Sequence, residues 1–259
     1  MVFISALEGI SDPLKISPLL NVKDLSMGCG SHKIIENLNL SVCPGKVMGV
    51  FGESKSGKAM ILDLLSGQTS PSSGHIVFKG EDVTTLSSDA RQERGICYTL
   101  APEQLFADLS VLENMLLLGA QASRPFYSRE GGASHADEAM ELLEFVGLAE
   151  KADDKAGDLS AVEQCLLTSA IALAGNPVLL LLRAPTLRNT TSRKAISSLL
   201  KRISKRGVTV IFTSQDKWQV MEICDKIVVF SEGTIVARGT PAALSAEMAI
   251  ANAHPHYVQ

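Results

Sequence analysis

The stretch VMGVFGESKSGKAMILDLL, Val47 to Leu65, constrains the fold of this chain more than any other segment. Val47 to Phe51 reads as a short buried strand, and Lys58 to Leu65 as a helix with Met60, Ile61, Leu64 and Leu65 apolar. Between them lies the spacing G-x-x-x-x-G-K, from Gly52 to Lys58. Such a loop aims backbone N–H groups and a helix N-terminus at a polyanion. Gly52 and Gly57 permit the tight wrap, and Lys58 reaches the terminal phosphates. Ser54 and Lys55 lie inside the loop and join the candidate nucleotide contacts. The next residue is Ala59, a methyl group where such loops carry a hydroxyl for a metal ion.

The rest of the chain supplies a sheet for this unit. Leu19 to Leu25 and Lys33 to Val42 read as strands, with Pro44-Gly45 as a turn. His75 to Lys79 is a further strand ending at Gly80-Glu81-Asp82. Val178 to Leu182 and Val208 to Thr213 are buried strands separated by a helix, Arg193 to Lys205, which indicates a parallel α/β sheet. Lys226 to Phe230 and Thr234 to Ala237 form a hairpin. The middle is helical: Leu109 to Leu118 with Ser110 as N-cap, Ala136 to Val146 closed by Gly147, and Ser160 to Leu173. Residues 124–132 read as a loop. The expected organisation is a lead-in over 1–18, a core over 19–103 and 160–240, a helical subdomain over 104–159 and a tail over 241–259.

Composition excludes little. With 259 residues, 46% hydrophobic and 20% charged, the chain has ample material for a core. A net charge of -4 gives no electrostatic case for a nucleic-acid partner. The five scattered cysteines include no C-x-x-C pair, which fits a reducing compartment. No apolar run is long enough to span a membrane. His254 and His256 sit in the tail and read as solvated rather than as metal ligands.

In motif order the chain resembles the ATPase subunits of ABC transporters over about Leu19 to Gly239, with a flavour of simple-sugar import ATPase halves. GESKSGKAM comes first. CYTLAPEQLFADLSVLENM then resembles the family's loop and helix ending in L-S-V-x-E-N. GDLSAVEQ resembles the signature, NPVLLLLRAPT the metal-carboxylate strand, and GVTVIFTSQD the strand of the switch histidine. The implied fold is α/β, a P-loop ABC ATPase core with an antiparallel β lobe and an inserted α-helical subdomain.

The departures fall on functional positions. Ala59 replaces the hydroxyl, Ala101 the metal-contacting glutamine, and a residue near Cys29 the aromatic that stacks on adenine. Arg183 and Ala184 stand for the Asp-Glu pair, Gln215 for the histidine, and a residue near Thr190 for a loop aspartate. Ala184 cannot act as a base at any pH. Arg183 is a permanent cation; it pairs with phosphate, pairs with a nearby carboxylate, or seals an empty cleft. In the signature, Ser160 is retained, Val162 crowds the backbone and Glu163 brings an anion. The candidate nucleotide contacts are thus Gly52, Ser54, Lys55, Gly57, Lys58, Arg183 and Ser160, with no catalytic residue and no metal ligand.

On these residues, the resemblance implies a catalytically inactive homologue, a pseudo-ATPase rather than an enzyme. Its role is structural or regulatory in a membrane transport assembly, at the inner face of the membrane. ATP is expected to bind weakly and Mg2+ is not expected. The implied partners are an ABC transporter membrane subunit, docked near Phe106, and a second ATPase-type subunit in a homodimer or heterodimer. The alternatives are a metal-independent ATP-binding sensor and a very slow ABC ATPase that energises import.

Overall fold

The computed structural model describes residues 17–29, 32–53, 56–122, 135–185 and 189–245. The lead-in to residue 16, the 124–132 loop, Ser54, Lys55 and the tail histidines lie outside the described residues. In chain order the elements begin with β1 (Leu20–Cys29), β2 (His32–Val42), β3 (Val47–Phe51) and α1 (Lys58–Ser66). Next come β4 (Ser73–Phe78), β5 (Glu81–Asp82), α2 (Ser88–Glu93) and β6 (Ile96–Tyr98). The middle holds α3 (Val111–Ala122), α4 (His135–Val146) and α5 (Ala161–Ala174). The last part is β7 (Leu179–Arg183), α6 (Thr190–Lys205), β8 (Thr209–Ser214), α7 (Lys217–Ile223), β9 (Lys226–Ser231) and β10 (Thr234–Gly239).

The strands form two sheets. One is antiparallel with order β2-β1-β4-β5, and the other has order β10-β9-β3-β8-β7-β6. In the second, β9, β3, β8, β7 and β6 run parallel and β10 is antiparallel at the edge. β8, TVIFTS, is buried along its whole length, and β7, LLLLR, is buried up to its final arginine. Strands covered on both faces read as unbroken apolar runs, which is why the sequence locates them.

Alternate side chains of β7 enter different cores. Leu179 and Leu181 pack with Ile61, Leu62, Leu64 and Leu65 of α1 and with Val22, Leu25 and Ile35 of the antiparallel sheet. Leu180 and Leu182 pack on the other face with Val111 and Met115 of α3, Leu143 of α4, and Ile196 and Leu200 of α6. α1 is therefore sandwiched between the two sheets, consistent with its nearly uniform apolarity. α5 lies in the second core and packs against α3, α4 and α6.

Helix ends follow local chemistry. Ser110 and Glu113 form a reciprocal pair before α3: the Glu113 N–H donates to Ser110 Oγ at 3.1 Å, and the Ser110 N–H donates to Glu113 Oε2 at 2.7 Å. α6 starts at Thr190, earlier than Arg193, because Asn189 Oδ1 accepts the Ser192 N–H at 2.8 Å. β1 extends to Cys29, beyond Leu25, by pairing with β2 through irregular register shifts. Glu81–Asp82, expected as turn, pairs with β4 as a two-residue strand. Among the described residues, no helix is long and apolar enough to cross a membrane.

Candidate functional site

The loop after β3 sits at the C-terminal edge of the parallel sheet, where the Gly52 N–H donates to the Ser214 carbonyl at 3.3 Å. A Cβ on Gly52 would meet the Phe230 carbonyl oxygen at 2.3 Å and Ser56 Oγ at 2.9 Å, so only glycine fits. Gly57 has φ 87°, a left-handed conformation that turns the chain into α1. No side chain caps α1, and its first turn has no acidic residue. That leaves the helix N-terminus electropositive. Lys58 is buried, and its Nζ donates to the Glu53 carbonyl at 2.7 Å, across the loop. Burial lowers its pKa. Ser56 Oγ is buried with no hydrogen-bond partner among the described residues. These features make the loop and the start of α1 the candidate phosphate site, with the helix N-terminus and Lys58 as its positive groups.

Arg183 ends β7 on the same sheet edge. Its Nη2 lies 3.1 Å from Asp63 Oδ1 of α1, and the same oxygen accepts the Tyr98 hydroxyl at 3.1 Å. The guanidinium carbon is 6.0 Å from the Tyr98 ring centroid. Burial, then the Asp63 charge, push the Tyr98 phenol up to about 12. The pairing of Arg183 with a carboxylate is thus the arrangement present. Asp63 and Tyr98 were not among the sequence candidates. An acid in an otherwise apolar buried helix, five residues after Lys58, was the available signal.

The turn after β8 is tightly tied. The Asp216 N–H donates to Ser214 Oγ at 2.9 Å, and Ser214 Oγ donates to Gln219 Oε1 at 2.8 Å. Asp216 Oδ1 caps α7 through the Trp218 N–H, and its carboxylate pairs with Arg193. Gln215, between Ser214 and Asp216 in the chain, is exposed. The Ala101 N–H donates to Gln104 Oε1 at 2.9 Å. Asn114, fully buried, accepts the Phe106 N–H at 2.9 Å and donates to the Phe106 carbonyl at 3.0 Å, which leaves the Phe106 side chain exposed.

Ser160 caps α5. Its Oγ accepts the Glu163 N–H at 3.3 Å and donates to Glu163 Oε2 at 2.7 Å, while Lys151 Nζ lies 2.7 Å from Glu163 Oε1. Lys151 and Ser160 hold the Glu163 carboxyl down to about 2. Glu163 is therefore neutralised locally by Lys151. α5 and α1 belong to opposite cores, so Ser160 and Lys58 come from different sides of the parallel sheet.

A family profile described as ABC transporter matches residues 35–187. The Nod factor export ATP-binding protein I of Burkholderia lata is 31% identical over 232 residues, covering 89% of this chain and 73% of that protein. The sulfate/thiosulfate import ATP-binding protein CysA 2 of Shewanella oneidensis is 30% identical over 224 residues, covering 86% of this chain and 62% of that protein. A bacterial ABC transporter cassette solved as a dimer superposes with a TM-score of 0.73 at 22% identity, covering 86% of this chain and 98% of that one. The expected α/β ABC ATPase-like fold is thereby shown. These relatives serve both export and import, so the likeness is to ATP-binding cassettes in general and not to sugar importers alone.

This similarity overturns the expectation of an inactive homologue without enzymatic role, and with it the pseudo-ATPase reading. It also overturns the expectations of weak ATP binding and no Mg2+, since the family takes its nucleotide as Mg-ATP. The physical reason is that a phosphate loop draws mainly on backbone N–H groups and its lysine, and the substitutions at 59, 101, 183, 184 and 215 leave Gly52, Gly57 and Lys58 in place. A resident metal site is a separate matter. Ala59 and Ala184 carry no side-chain oxygen, Asp63 is engaged by Arg183 and Tyr98, and no metal-holding group of three or more His, Cys, Asp or Glu occurs among the described residues. These residues do not fit a resident ion.

Proposed function

The chain belongs to the ABC transporter family, and from that premise we propose that it is an ATP-binding subunit that binds Mg-ATP at 52–58 and hydrolyses it slowly to energise transport. The supporting observation is the glycine cradle with buried Lys58 at the mouth of α1. Gly52, Ser54, Lys55 and Gly57 wrap the phosphates, Lys58 leaves the Glu53 carbonyl for the terminal phosphates, and Arg183 adds a second cation. Gln215 orients water through its amide, which passes no proton on. Ala184 supplies no carboxylate to polarise that water. The remaining acceleration comes from position and charge, so turnover is slow.

Members of this fold work in pairs, as in the dimeric cassette above. In this reading a second copy or a related subunit presents its Ser160-type helix N-terminus to the cradle. A membrane subunit docks against the exposed Phe106 and Leu117, which places the chain at the inner face of the membrane.

Calorimetric titration with Mg-ATP, followed by phosphate release, tests the proposal. Saturable binding and slow release, both abolished by Lys58→Ala, are expected. No heat of binding at millimolar Mg-ATP refutes it.

A further inference from the structure

We propose that Arg183 reads the terminal phosphate of the nucleotide, leaving Asp63 to do so, and thereby sets a preference for ATP over ADP. This rests on ATP binding at 52–58.

Placement comes first. Arg183 pairs with Thr213 of β8, and the next residue of β8, Ser214, pairs with Phe51 of β3, the residue before Gly52. Arg183 thus stands two strand spacings, roughly 10 Å, from the start of the cradle on the same sheet edge. Its guanidinium rests on α1 at Asp63, five residues past Lys58, or about 7.5 Å along the helix axis. Rotation of a long side chain toward the helix N-terminus covers that interval.

Availability comes second. The Arg183 side chain is 42% exposed; its Nη2 is engaged by one Asp63 carboxylate oxygen, and the Tyr98 hydroxyl is its other polar neighbour. Asp63 keeps the Tyr98 hydroxyl when Arg183 departs, so no bare carboxylate is left behind. A half-exposed ion pair is weak. A terminal phosphate offers more charge and two parallel acceptors to the same fork. The Tyr98 ring beside the guanidinium limits the paths it takes.

Selectivity follows from reach. ADP lacks the outermost phosphate, so Arg183 gains little by leaving Asp63. A purely structural clamp between α1 and β7 would act on both nucleotides alike.

The test is calorimetry with Mg-ATP and Mg-ADP on the parent chain and on Arg183→Gln, Arg183→Lys and Asp63→Asn, with thermal melts to confirm folding. Loss of one charge-assisted contact weakens ATP binding roughly 10- to 100-fold in Arg183→Gln, while ADP binding changes less than about threefold. Arg183→Lys recovers part of the ATP affinity, as a point charge without the fork. Asp63→Asn keeps an acceptor for Tyr98 and removes the competing charge, so it strengthens ATP binding a few-fold. Equal losses for ATP and ADP in Arg183→Gln, or no loss, overturn the inference and leave the ATP-binding reading standing. A parent chain that binds neither nucleotide refutes both.

Discussion

Arg91 is the side chain on which the seating of the phosphate helix most depends. It is buried in α2, and among the described residues its hydrogen bonds go to carbonyls, with the Asp82 charge acting on it from a distance. Nη1 reaches the Leu64 and Leu65 carbonyls at 2.6 and 3.0 Å, Nη2 the Thr84 carbonyl at 2.8 Å, and Nε the Leu86 carbonyl at 3.1 Å. A cation thus closes the C-terminal end of α1, where the helix dipole is negative. Arg91→Met keeps much of the volume and removes every donor. The Leu64 carbonyl retains the Gly67 N–H at 3.3 Å, so three carbonyls are orphaned. Only the Leu65 bond among these is fully buried and the other two are half-buried, so at about 1–3 kcal/mol for an unsatisfied buried group and less for the others, the net loss is about 2–4 kcal/mol. In a chain of this size that lowers the melting midpoint by roughly 10 °C. Urea unfolding of the parent, Arg91→Met and Arg91→Lys measures it, with lysine intermediate because it carries the charge on fewer, differently placed donors. A loss below about 1 kcal/mol in Arg91→Met would mean that water replaces the donors, and that the end of α1 is not sealed by this residue.

Two other changes probe the cradle and the signature helix. Gly52→Ala drives a methyl against the Phe230 carbonyl, so Mg-ATP affinity should fall at least tenfold by calorimetry, with a stability cost of about 1–3 kcal/mol; an unchanged affinity would contradict the close approach. Glu163 titrates at about 2 in the folded chain against 4.5 as its ordinary value, so its contribution is complete above pH 4.5 and is lost as the pH falls toward about 2. Solvent screening limits that contribution to about 1 kcal/mol. Urea midpoints of the parent and Glu163→Gln should converge over that range, and parallel curves would refute the assignment.

The parts of the fold legible in the sequence are those whose signal is local. GESKSGK needs only its own spacing, and LLLLR and TVIFTS announce burial on two faces without reference to any partner. β6 has three residues and α7 has seven, too few for either periodicity to show, and both are held in place by neighbours rather than by propensity. Asp63, Tyr98 and Arg183 come from α1, β6 and β7, and meet only because parallel strands bring their C-terminal ends to one edge. The same limit explains why the substitutions misdirected the functional expectation. Residue types declare what side chains can donate, so Ala59 and Ala184 read as losses. The donors that cradle a phosphate are peptide N–H groups, which every residue but proline carries and which sequence records only through the glycines that let them converge. Gly52 beneath the Phe230 carbonyl and Gly57 at φ 87° therefore weigh more for nucleotide binding than the missing hydroxyl at 59 weighs against it. The absent carboxylate at 184 bears on a different quantity, the rate at which bound nucleotide is split.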